Sequence, residues 1–288
     1  MTTPDARDDA PQIPTGSMSG SAEVAVILAA GRGTRMQKPD ADAHLDPAQA
    51  AAAAAGLKAM IPVDGRPFLD YVLSRLADAG MKEICLVVAP GYSPIREHYE
   101  ESRPSRFRLA FAVQAEPLGT AHALLSAEAF TAKRDFLALN SDNYYPLDAY
   151  RALRDLGEPG LPVFDRETLL AKSNFPRERV AKYAVLGVGR DGYLERIVEK
   201  PTAGELAGDE VLLSMNLWRF APRIFEACRC VPLSGRGERE LPQAVQWAIS
   251  NLGARFRAVR CEGGVLDLSA RADVESVAER LRGVPVRL

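Results

Sequence analysis

The chain has no apolar run long enough to cross a bilayer, and no short apolar leader precedes its first apolar segment. These absences predict a soluble cytoplasmic protein with no membrane partner. Strong charge of either sign is also missing. Thirty-six Lys and Arg stand against 38 Asp and Glu, a formal net charge of −2 over 288 residues. Nucleic acid is therefore not expected as a partner, and any arginine that matters must act locally. Cysteine is sparse: Cys85, Cys228, Cys230 and Cys261 form no pair of C-x-x-C clusters, which excludes a zinc site of that kind and predicts reduced structural thiols. Cys85 falls within an apolar run and is expected in the core. Only three histidines occur, without metal-ligand spacing. His122 adjoins a polar, glycine-containing segment, and packing on a helix face is its simpler role.

Residues 1–21 are poor in apolar side chains and rich in Asp, Pro, Thr, Gly and Ser, a composition that cannot offset the entropy of ordering, so a disordered tail is expected there. Residues 22–288 read as a single domain. Val24–Leu28 suits a buried strand, and the segment 37–56 stands out as an insertion, ending in the alanine run Ala50–Ala55. Alanine has the highest helix propensity, so a short helix and a mobile surface excursion are both compatible with it. Helical spacing follows over Phe68–Leu76, then strands and helices alternate: Ile84–Ala89, Pro94–Tyr99, Leu109–Gln114, Thr120–Ala127, Phe136–Leu139. Such alternation argues for a mostly parallel sheet covered on both faces. Gly189-Arg190-Asp191-Gly192 predicts a hairpin between Tyr183–Val188 and Tyr193–Val198. One further strand is expected over Val211–Phe220, helices over Pro222–Cys228, Glu240–Ser250 and Ala272–Arg282, and strands near Phe256–Arg260 and Gly264–Leu268. No internal repeat is evident.

Val24–Leu28 runs directly into Ala29-Ala30-Gly31-Arg32-Gly33-Thr34-Arg35-Met36. Glycines let the main chain approach a ligand, and backbone N–H groups with arginine nearby cradle phosphate oxygens. Two familiar phosphate loops are excluded: G-x-x-x-x-G-K-[ST] is absent, and Met36 occupies the place of the third glycine of G-x-G-x-x-G. What remains, Leu28-Ala29-Ala30-Gly31-x-Gly33-Thr34-Arg35-Met36, resembles the opening signature of the sugar-phosphate nucleotidylyltransferases. Further landmarks resemble that family in its own order across residues 24–275. These are Lys58 with Ile61-Pro62-Val63 and Gly65-Arg66-Pro67-Phe68-Leu69, then Gln114-Ala115-Glu116-Pro117-Leu118-Gly119-Thr120-Ala121, Asn140-Ser141-Asp142, Glu199-Lys200-Pro201, Asn216 and Asp267.

The resemblance implies a Rossmann-like α/β fold of the nucleotide-diphospho-sugar transferase type: a mostly parallel mixed sheet flanked by helices, with a small β-rich sugar-binding subregion. It implies nucleotidylyl transfer from an NTP to a sugar 1-phosphate with Mg²⁺. The roles it carries over are Arg35 and Lys58 as catalytic cations, and Leu28, Ala29, Ala30, Gly31, Gly33, Thr34, Gln114, Gly119 and Thr120 around the nucleotide. Asn143, Glu199, Lys200 and Asn216 fall to the sugar phosphate, and Asp142 and Asp267 to the metal. The Gln114 amide can both donate to and accept from a pyrimidine edge, and this Gln-containing form resembles the family's uridylyl- and thymidylyl-transferring members, which favours UTP or dTTP. Two carboxylates suit Mg²⁺, a hard cation that takes few protein ligands. Ser141 stands where the family usually has glycine, and Leu268-Ser269 stand where it commonly has Gly-Thr after the aspartate. No hexapeptide repeats follow, so no fused acetyltransferase β-helix is expected. A non-catalytic nucleotide-sugar-binding regulator and a guanylyl- or cytidylyltransferase on the same fold are the alternatives. The sugar and any homo-oligomer are left open.

Overall fold

The computed structural model describes residues 20–91, 93–208 and 210–288. Most of the expected N-terminal tail, residues 1–19, lies outside them. Gly20 is already tied in, its carbonyl accepting a bond from Arg219 Nη2 at 3.1 Å.

Ten strands form one sheet: β1 (Val24–Leu28), β2 (Glu83–Val88), β3 (Arg108–Val113), β4 (Phe136–Asn140), β5 (Gly160–Asp165), β6 (Ala184–Val188), β7 (Leu194–Val198), β8 (Leu212–Ser214), β9 (Trp218–Phe220) and β10 (Arg257–Cys261). Their order is β7-β6-β8-β5-β9-β4-β1-β2-β3, with β10 alongside β5. The half formed by β4, β1, β2 and β3 is parallel. Antiparallel pairings dominate the other half, where β9 joins β4 and β6–β7 make the expected hairpin. Only β10 runs parallel there, beside β5.

β1 is buried throughout because helices cover both faces. Val24, Val26 and Leu28 enter one core cluster, with α5 (Thr120–Leu125), α6 (Glu128–Thr131), α9 (Ile224–Cys230) and α10 (Leu241–Leu252) above them. Ala25 and Ile27 enter the other, which holds α1 (Thr34–Gln37), α2 (Pro47–Ala54), α3 (Phe68–Asp78), α4 (Ser93–Ser102), α7 (Leu147–Asp155), α8 (Arg166–Lys172) and α11 (Asp273–Leu281). This is the period-2 alternation of a strand with two buried faces. Cys85 is buried in the core as expected, while Cys230 is exposed.

Of the two readings of the 37–56 insertion, the helix is the one that forms. Asp46 Oδ1 accepts from the Gln49 backbone N–H (2.8 Å) and Gln49 Oε1 from that of Asp46 (3.1 Å), a reciprocal capping box, with Pro47 at the first helical position. Met36, which takes the place of a motif glycine, is fully buried.

The fold departs from the pattern at several places, including the helices α7 and α8, which no expected element covers, and two places in the sheet. The single strand expected over Val211–Phe220 is two, β8 and β9, because Asn216 takes φ +63 between them and breaks the extended run. Strand β5 left no strand pattern: Pro162 at its centre has no N–H to donate, which marks most sequences as non-strand. Among the described residues, no helix is long and apolar enough to cross a membrane.

Candidate active site

The glycine loop leaves the carboxyl end of β1 between β2 and β4, the edge where open α/β sheets bind ligands. The Ala29 N–H donates to Val87 O (2.8 Å) and the Ser141 N–H to Leu28 O (3.1 Å), which pins the start of the loop to both neighbouring strands. A cleft of about 510 Å³ opens over this edge. Its floor is Leu28, Ala29, Ala30, Gly31 and Thr34, and its walls include Lys58, Gln114, Gly119, Thr120 and Asp142. Ten of the residues nominated by sequence thus share one cavity.

Gly33 borders this cleft without lining it, and its glycine has a different cause. With φ +62, a Cβ there would collide with the Gly56 carbonyl, where the insertion returns. Gly56 has φ +72 and lines the cleft, so the insertion closes against the loop and forms part of the cleft wall. Gly119 (φ +99) is likewise crowded by Arg239 backbone, and the Thr120 hydroxyl accepts the Leu241 N–H (2.8 Å) at the start of α10. Gln114 is 5% exposed. Its Nε2 donates to Gly119 O (3.0 Å) and lies 3.2 Å from His122 Nδ1, so both hydrogens of the amide are spent on its own loop. His122 orients the glutamine rather than simply packing.

A second, smaller cavity of about 140 Å³ adjoins the first, and Asn140 and Asp142 line both. It takes in Arg35, Asn143, Asn216 and Asp267, all nominated by sequence. Asp267 comes to Asp142 through a short antiparallel ladder, Leu266–Asp267 with Asn143–Tyr144, reinforced by the Leu268 N–H donating to Asp142 O (2.9 Å). Lys58 Nζ pairs with Asp142 Oδ2 at 2.5 Å. Asp267 is 3% exposed; it accepts from Ser269 Oγ on Oδ1 (2.6 Å) and from Tyr183 OH on Oδ2 (2.7 Å). Burial, then the nearby Asp142 charge, raise the Asp267 carboxyl above its ordinary range. Burial and the Asp267 charge likewise push the Tyr183 hydroxyl up, keeping it a donor.

The departures at 141 and 268–269 are absorbed without strain. Ser141 is not among the positive-φ residues, so its backbone needs no glycine, and Ser269 supplies a direct bond to Asp267. Carboxylate oxygens from Asp142 and Asp267, flanked by the amides of Asn140 and Asn216, are a hard donor set that fits Mg²⁺. Among the described residues no group of three or more His, Cys, Asp or Glu could hold a metal ion.

Glu199 and Lys200 line neither cavity. Glu199 faces a broad groove beside α10, and burial with Glu240 nearby raises its carboxyl, opposed by Arg236 and Lys200. Lys200 is exposed, with φ +51. The structure also adds residues that motif reading missed. Arg32 and Glu238 line the larger cleft; Arg179, Lys182 and Tyr183 line the smaller. Glu238 directly follows the turn Gly235-Arg236-Gly237, and Arg179 and Lys182 sit in a 3₁₀ turn at Arg177–Lys182, where no motif flags them.

The chain is similar to several known proteins. The family model described as nucleotidyl transferase matches residues 52–258, a span that begins inside α2, beyond the glycine loop. The UTP–glucose-1-phosphate uridylyltransferase AglF of Haloferax volcanii is 28% identical over 258 residues, covering 90% of this chain and 96% of that protein. A glucose-1-phosphate thymidylyltransferase of Streptomyces antibioticus is 28% identical over 256 residues, 88% of this chain but 64% of that longer protein. The solved UDP-glucose pyrophosphorylase from Acinetobacter baumanii shares the fold, with a TM-score of 0.67 at 18% identity over 92% of this chain and 95% of that one.

Proposed function

The chain belongs to the nucleotidyl transferase family, and from that membership we propose that it transfers a nucleotidylyl group from UTP or dTTP to a sugar 1-phosphate. A phosphate oxygen of the sugar phosphate attacks the α-phosphorus, the bond from that phosphorus to the bridging oxygen breaks, and pyrophosphate leaves. The attacking oxygen is already anionic at neutral pH, so positioning and charge neutralisation supply the catalysis. The observation that carries this reading is the meeting of Lys58, Asp142 and Asp267 where the two cavities join.

In this reading the glycine loop offers backbone N–H groups to the triphosphate, and Lys58 neutralises the reacting phosphates as a point charge. Arg35 faces the smaller cavity and stabilises charge on the acceptor side of the α-phosphate. Asp142 and Asp267 would hold Mg²⁺, whose contribution is to draw charge off the phosphate oxygens. Base choice follows from Gln114. With Nε2 held by Gly119 and His122, Oε1 remains to accept from the N3–H of uracil or thymine, whereas cytosine offers no hydrogen at N3.

The test is a pyrophosphate-release screen of UTP, dTTP, CTP, GTP and ATP against a panel of sugar 1-phosphates with Mg²⁺. The expected result is fastest release with UTP or dTTP, arrested by EDTA and restored by Mg²⁺. Tight nucleotide-sugar binding without turnover for any pair would sink the enzymatic reading and favour a non-catalytic binder.

A further inference from the structure

Outside the family motifs, one side chain in the smaller cavity is held in a way its surroundings do not explain. Arg179 Nη2 is 2.7 Å from Asp273 Oδ1. Asp273, 3% exposed, is itself fixed, its Oδ2 accepting the Ser269 N–H (2.9 Å) and the Ala270 N–H (2.7 Å). One arm of the guanidinium is therefore clamped. The other arm, Nη1, is buried without a hydrogen-bond partner, and the nearest carboxylate oxygen, Asp267 Oδ2, stands 3.6 Å away. A buried charged donor left unsatisfied is costly, and a fork pre-oriented on one arm loses little entropy when the other engages. Asn216 Oδ1, on the same cavity, is a second buried polar atom without a partner.

Around this arm the cavity collects cations. Arg35 and Lys182 line it with Arg179, while the Asp142 charge is already met by Lys58. A pocket with three basic side chains beside the single buried Asp267 carboxylate suits a dianion, and a guanidinium N–H that makes no hydrogen bond is the matching donor for a phosphate oxygen. We infer that Arg179 binds the phosphate of the sugar 1-phosphate through Nη1, with Lys182 as a second cation, so that the acceptor phosphate is gripped from the Arg177–Lys182 turn. This rests on the proposed function for the identity of the ligand. It differs from it in assigning a residue that no motif nominates, at a point where Lys200 does not reach the cavity wall.

The experiment measures KM for glucose 1-phosphate and for the NTP separately, with calorimetric titration of glucose 1-phosphate and melting curves, on the full chain carrying R179K or R179Q. The expected result is a roughly ten- to hundredfold rise in the glucose 1-phosphate KM for R179Q, from losing one charge-assisted bond. A smaller rise is expected for R179K, which keeps the charge but not the fork. The NTP KM should be unchanged in both. A glucose 1-phosphate KM and affinity equal to wild type in R179Q would overturn the inference, as would a fall in melting temperature with both KM values rising together. If the wild-type protein released no pyrophosphate with any pair, the proposed function would fail. The titration would still judge Arg179: Arg179-dependent binding supports it, and no binding to wild type overturns it.

Discussion

The two cavities at the carboxyl edge of the sheet are built by opposite means. The larger is made mostly of main chain and small side chains: Ala29, Ala30, Gly31 and Gly56, with Gln114 as its polar anchor. The smaller is a cluster of charged and amide side chains drawn from residues as far apart as Arg35, Asp142, Arg179 and Asp267. Backbone suits a polyphosphate, whose many oxygens can each meet an N–H wherever the chain passes close by. Side-chain charge suits a site where reacting groups must be placed one by one. Asp142, which lines both and pairs with Lys58, is where the two designs join.

Breaking that junction has the largest expected effect. Asp142→Asn removes a carboxylate from both cavities and the counterion of Lys58, and turnover should fall by about 10² to 10³ or more, with the far-UV circular dichroism unchanged. Activity near wild type would remove Asp142 from the metal assignment. A smaller and more selective effect is expected in the larger cleft. Gln114→Leu deletes the oriented amide, and kcat/KM for UTP should drop roughly tenfold or somewhat more. The ratio of UTP to CTP should fall with it and the KM for the sugar 1-phosphate should not move. Unaltered base selectivity would show that the backbone, not Gln114, reads the base.

The mildest test touches only the main-chain design. Gly33→Ala places a Cβ at φ +62 against the Gly56 carbonyl. The cost of about 1 kcal/mol or more should lower the melting temperature by about 2–4 °C per kcal/mol and raise the NTP KM while leaving that of the sugar 1-phosphate alone. If both KM values rose equally, the glycine loop and the charged cavity would be mechanically coupled rather than separately built.

The same contrast explains what could be read in advance. The strand and glycine loop at Val24–Met36 carry their meaning locally, since an apolar run, two glycines and two arginines are adjacent in the chain. Gln114 and Gly119 were nominated by the resemblance of Gln114–Ala121 to a family segment, although the crowding that demands Gly119 comes from Arg239, over a hundred residues on. Arg179 gave no local sign. Its clamp is Asp273, and both sit in stretches whose charges look like ordinary solvated surface. Strand β5 was hidden by Pro162, and the break between β8 and β9 by an asparagine that strand patterns tolerate until its φ turns positive.

By itself, the sequence determined the alternating α/β plan and the glycine loop after the first strand, because apolar periodicity and glycine placement act over a few residues, while Asp142 and Asp267 were nominated by the family resemblance. Only the tertiary structure decided that Asp267 reaches Asp142, through a two-residue ladder and one backbone bond. It alone decided that the 37–56 insertion becomes part of the cleft wall, and that the smaller cavity's cations include Arg179 and Lys182. Those outcomes depend on which distant segments the packed sheet brings to one edge, and long-range contact of that kind leaves no local pattern along the chain.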